Sequence, residues 1–170
     1  RSYSSAASDV YKRQRFGKPS LIGIVTEMVT GLATVTPASG YIGVPGGLIL
    51  GFLGGLLRYH AVDYIRGKLQ IDDSLDGFAV HGVGGILGTL VVAFLATSSF
   101  SGLGLAEGQT GISQFIIQLK AVALTVVWTS FFTYLILKLT SLIVSLRVDE
   151  QEEIEGLDLR SHGEKGYHSD

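Results

Sequence analysis

The stretch Asp72–Ala96, "DDSLDGFAVHGVGGILGTLVVAFLA", decides how this chain is read. Three carboxylates, Asp72, Asp73 and Asp76, stand ahead of an apolar, glycine-studded run, and one histidine, His81, lies inside it. As a helix, residues 78–97 are long and apolar enough to cross a hydrocarbon core of about 30 Å. Acids before the first turn of a helix bond its free N–H groups and complement its dipole, which accounts for Asp72 and Asp73 as well as any other role. Asp76 lies deeper, a little more than one helical turn before His81. An ionisable residue inside a span faces a bundle interior or a cavity and is a functional candidate by default. The plainer alternative for His81 is a structural histidine donating to a carbonyl of a neighbouring helix. A neutral imidazole offers one donor and one acceptor. That suits a lining which handles a small polar molecule without a fixed charge in its path.

The rest of the composition agrees with a membrane setting. The 170 residues are 46% hydrophobic and 16% charged, against about 25% charged in a soluble domain. Glycine fills 23 positions, roughly twice its usual share. Little charge and much glycine point to membrane helices packed on small residues, an all-α fold. With no cysteine, disulfides and thiolate metal sites are excluded. The net charge of −2 hides an asymmetry: residues 147–170 hold eight acids and three bases, and residues 1–146 hold seven acids and ten bases.

Four spans are predicted, near 20–38, 46–65, 78–97 and 113–144. The first ends at "TVTPASG", where Pro37 and Gly40 stop a helix. The fourth is longer than a perpendicular crossing needs, so tilt or projection into water is expected. Arg58, His60 and Lys120 interrupt the spans near their ends, where long side chains reach the interface; Glu27 interrupts the first. Lys12, Arg13, Arg15 and Lys18 precede the first span, Arg58, Arg66 and Lys68 end the second, and Lys138 and Arg147 close the fourth. The connections around 41–43 and 98–111 carry no Lys or Arg. The alternation puts both termini on the cytoplasmic side. Gly47, Gly51 and Gly55 recur every four residues, and Gly84 and Gly88 repeat the interval, as close helix packing in lipid favours. "HGVGGILG" has neither the preceding strand nor the spacing of a dinucleotide loop. Residues 1–15, polar and without the apolar core of a signal peptide, are expected to be a foreign or disordered leader.

"GKPSLIG", "TVTPASGYIG", "DDSLD" followed by "VHGVGGILGT", "GLAEG" and "EGLDLRSHGEKGY", in this order, resemble the C-terminal part of bacterial Amt-type ammonium transporters. The resemblance runs from Gly17 to Tyr167. It implies a homotrimer of helical subunits in the cytoplasmic (inner) membrane, each with a narrow pore. Ammonium loses its proton there and crosses a hydrophobic lumen lined by two histidines; methylammonium serves as an analogue. His81 matches the second histidine of the pair. Asp76 matches an acid near the cytoplasmic end of the pore, Thr26 a small hydroxyl residue near that end, and Thr36 a threonine of the first span here. The resemblance places the first pore histidine and the external recruitment site in an N-terminal part that these four spans do not contain. His60, His162 and His168 do not substitute. At Glu27 the family commonly has a small residue.

Residues 147–170 read as an acidic solvated tail from composition alone. The resemblance implies instead a cytoplasmic regulatory segment, with Gly156, Asp158, His162 and Gly163, that answers to a signal protein of the nitrogen-sensing PII class. Gly156 permits a sharp turn that side chains forbid. No cofactor, metal or nucleic-acid partner is expected. The alternative function is a non-transporting ammonium sensor of the same fold. An intramembrane enzyme built on His81 and Asp76 lacks a nearby nucleophile or metal cluster.

Overall fold

The structure is a computed structural model and describes residues 21–73 and 75–164. The leader 1–15, residue 20 at the expected start of the first span, and His168 lie outside the described residues. All regular elements among those described are helical. Helix α1 covers Leu21–Val35 and runs into a 3-10 turn, Thr36–Ala38. Helix α2 covers Val44–Val62 and continues as a wider, π-helical turn over Asp63–Lys68. A second π-helical turn, Phe78–Val83, leads into α3, Gly84–Leu95. After a 3-10 turn at Ser98–Phe100, α4 runs from Gly111 to Ser141. Among the described residues three helical stretches are long and apolar enough to cross a membrane: Val44–Lys68, Phe78–Leu95 and Gly111–Ser141. The described part of the first expected span, α1, has 15 residues.

The chain divides into two compact units, one ending at Ala123 and one beginning at Leu124, so the boundary falls inside α4. In the first unit, α1, α2 and α3 pack on one another. Their contact is built on small residues around the fully buried Thr34 of α1. A Cβ added at Gly54 of α2 would fall 2.4 Å from the Thr34 hydroxyl oxygen, and one at Gly88 of α3 would fall 2.0 Å from its carbonyl oxygen. At Gly84 the same atom would stand 2.8 Å from the Thr34 hydroxyl. Both neighbouring backbones approach so closely that only hydrogen fits, the packing mode lipid favours. Gly51 and Gly55 are buried in α2, but a Cβ at Gly47 or Gly51 would meet nothing within 4 Å.

Threonines are tolerated inside α1 because their hydroxyls bond back one turn. Thr30 donates to the carbonyl of Thr26 and Thr34 to that of Thr30, both at 2.8 Å. An apolar cluster of Ala38, Leu50, Val92, Leu95 and Ala96 closes one end of the three helices. There the two connections without Lys or Arg are tied together: Gly43 N–H donates to Phe100 O, and Leu103 N–H to Tyr41 O, both at 3.2 Å.

The second unit holds the rest of α4, the short helix α5, Glu150–Glu155, and a π-helical turn, Asp158–His162. Gly156 joins them at φ +94°, and Gly163 ends the turn at φ +65°. Arg160 bridges back over Gly156 to Glu155 at 3.2 Å.

Candidate functional site

The opposite end of the three-helix contact from the apolar cluster is charged. Asp73 begins it as a capping residue. Its carboxylate accepts from the N–H groups of Gly77 at 2.7 Å, Phe78 at 3.0 Å and Ala79 at 3.3 Å. These are the free donors of the helix start, satisfied by a negative group at the positive end of the dipole.

Asp76 has a different fate. Its backbone takes φ +54°, in the left-handed region, while its carbonyl accepts the N–H of Val80 at 2.8 Å. Its carboxylate is bonded by the Arg58 guanidinium and, at 3.3 Å, by Arg66. The other side of the Arg58 fork bonds Glu27 at 2.5 Å. Glu27 is fully buried and the Arg58 side chain is 7% exposed. One planar guanidinium on α2 therefore joins a carboxylate on α1 to a carboxylate at the start of the His81 segment. Arg66, half exposed, adds a second cation. The cluster pairs two acids with two bases, which is how buried charge is tolerated.

Arg58 was expected to reach the membrane interface, and its burial corrects that reading. Both terminal nitrogens of the guanidinium bond carboxylates, while its buried Nε has no hydrogen-bond partner among the described residues. Glu27 had no assigned neighbour in the sequence. The usable signal was a pair of opposite charges inside successive spans, each costly in lipid unless it meets the other.

The other predicted residues are placed as follows. His81 sits in the π-helical turn Phe78–Val83, a local widening that recurs at functional sites. Its side chain is exposed, while its neighbours Ala79 and Val80 are buried in the helix contact. Thr26 is half-buried, immediately before Glu27. Thr36 is exposed and its hydroxyl donates to the Leu32 carbonyl at 2.6 Å. The structure thus gathers Asp76 with Glu27, Arg58 and Arg66, and leaves Thr36 outside that group. In the tail, Asp158 and His162 open and close the π-helical turn. Among the described residues, no group of His, Asp or Glu is arranged to hold a metal ion.

Comparison with known proteins places this geometry in a family. The family model described as Ammonium Transporter Family matches residues 5–167, a match that starts inside the stretch expected to be a foreign leader. The chain is 41% identical over 154 residues to "Ammonium transporter Amt1" of Archaeoglobus fulgidus, covering 89% of this chain and 38% of that protein. It is 38% identical over 152 residues to "Ammonium transporter" of Bacillus subtilis, covering 88% of this chain and 37% of that protein. Among solved structures, a "Sensor Amt Protein" superposes with a TM-score of 0.82 at 28% identity, covering 93% of this chain and 38% of that one. The chain therefore spans under two fifths of the length of these relatives. It is a multi-pass helical membrane protein, and it belongs to the Ammonium Transporter Family.

Proposed function

We propose that this chain forms the C-terminal part of a subunit that moves ammonium across the cytoplasmic membrane as ammonia and a separated proton. The observation that carries the reading is the exposed His81 within a membrane-spanning segment, next to the buried Ala79 and Val80. A histidine serving only to join two helices would be expected inside their contact. One turned away from it is free to line a lumen completed by other parts of the subunit. Deprotonation is the favourable route, because neutral ammonia carries only a polar-group transfer penalty of about 2–7 kcal/mol. An intact cation costs far more, and potassium has no proton to shed. In this reading Asp76 and Thr26 stand toward the cytoplasmic end, Thr36 toward the other, the subunits form a homotrimer, and the acidic tail at a cytoplasmic C-terminus answers to a PII-type signal protein.

The test is uptake of labelled methylammonium by cells expressing the full open reading frame that carries this chain. His81→Ala should abolish uptake or change its selectivity over potassium. Unchanged uptake with unchanged potassium exclusion overturns the assignment of His81.

One observation favours a second reading, a non-transporting sensor: the structural neighbour with TM-score 0.82 is a protein named as a sensor. That reading requires absent uptake together with an ammonium-dependent response of the tail segment 147–164.

A further inference from the structure

The cluster Glu27–Arg58–Asp76 does something for the His81 segment beyond neutralising charge. Asp76 is the residue from which the segment starts, and its backbone is left-handed at φ +54°, a conformation that Asp adopts more readily than most L-residues. The carbonyl of that residue accepts the N–H of Val80, directly before His81. Two cations hold its side chain, and one of them, Arg58, is itself anchored to the fully buried Glu27 on another helix. Among the described residues, Asp73 also bonds this start, through three backbone N–H groups. The capping acid sets the helix direction. The Arg58 clamp sets where Asp76, and with it the next turn, sits against α1 and α2.

We infer that Arg58 is a positioning residue: by tying Asp76 to Glu27 it fixes the π-helical turn 78–83 and so the aim of His81. The inference rests on the transport reading for its consequence, but its geometric half stands apart from it. Arg fits the task because its fork bonds two carboxylates at once in fixed directions, which a lysine ammonium does not reproduce. With Arg58 in place, neither carboxylate is left as an open cation-binding group beside the path. A clamped Asp76 would not retain ammonium at that point.

The experiment uses the absence of cysteine in these residues. His81→Cys is introduced into the full open reading frame, with the His81 parent as the blank, and its reaction rate with a small cationic methanethiosulfonate reagent is measured in membranes. A second cysteine at Leu103, an exposed connection far along the chain, is the control for general loosening. Arg58→Ala should change the rate at residue 81 by at least about fivefold while leaving that at residue 103 unchanged, a difference of about 1 kcal/mol or more in the barrier to reaction. Arg58→Lys should recover part of the change. If Arg58→Ala does not insert, Asp76→Asn cuts the same link more gently and carries the same expectation. Equal rates at residue 81 in the parent and in an inserted variant overturn the inference. So does an equal change at both positions, which marks a merely structural loss. In the His81 background, Arg58→Ala should then lower the ratio of methylammonium to potassium uptake per inserted molecule. Absent uptake by the unmutated protein overturns the transport reading and leaves the thiol result to decide the positioning.

Discussion

Arg58 shows how a single side chain can carry a structure's polar economy. Removing one member of a buried ion pair leaves an uncompensated charge, typically a loss of about 3–5 kcal/mol. Without Arg58, Glu27 loses its ion pair and Asp76 keeps only the half-exposed Arg66, whereas Glu27→Gln leaves Arg58 still bonded to Asp76. Thermal unfolding in detergent should therefore rank Arg58→Ala well below Glu27→Gln; the reverse order would mean that Asp76 and Arg66 suffice alone. Asp73 makes a separate contribution. Three N–H groups rely on its carboxylate, so Asp73→Ala should cost on the order of 0.5–2 kcal/mol, as cap removal does. That loss should appear in the same melt without moving the selectivity ascribed to His81.

At the scale of elements, helix contact through Thr34 makes a sharp prediction. Gly88→Ala puts a methyl 2.0 Å from the Thr34 carbonyl oxygen, a backbone atom that cannot turn aside. Overpacking of this kind costs about 1–3 kcal/mol. Gly47→Ala meets nothing within 4 Å and should be neutral or gain up to about 1 kcal/mol of helix propensity in the isolated chain. Equal melting temperatures for the two variants would show that the helices have room to part. In the tail, Gly156 at φ +94° admits no side chain without strain, and Gly156→Ala should loosen the link between α5 and the following turn by about 1–3 kcal/mol. Arg147 forks onto Glu153 at 2.7 and 2.8 Å. That hydrogen bond, opposed by desolvation and helped by charge attraction, holds the Glu153 carboxyl below its ordinary 4.5. A lowered acid contributes its stabilisation above the ordinary value and loses it as pH falls through the lowered one. NMR titration of the Glu153 carboxyl should show this, and Arg147→Ala should return it toward 4.5.

The whole molecule is organised by lipid. No residue of α4 is buried, and Leu124, Val127, Trp128 and Phe131 are each more than 60% exposed. In water such a surface would drive association; it suits a bilayer or the face of another membrane helix. The tied connections at 41–43 and 98–104 stand at one end of the first unit and Arg58, Arg66 and Asp73 at the other. Single cysteines at Glu107 and Asp72 should therefore be labelled from opposite sides of the membrane by an impermeant maleimide. Labelling from the same side would undo the alternation of basic residues from which orientation was read.

The amino-acid sequence by itself determined the helical membrane class, because apolar length and the placing of Lys and Arg are local properties that lipid reads directly. It also determined the family, carried by short motifs, and the presence of an ionisable ring in the third expected span. Only the tertiary structure decided which glycines meet a neighbour: a four-residue repeat names a face but not what stands opposite, so Gly54 rather than Gly47 abuts Thr34. Only it paired Glu27 with Arg58, 31 residues apart, and bound Asp76 to both arginines. Such pairings depend on how helices lie against one another, and a buried charge announces its cost in the sequence without announcing its partner.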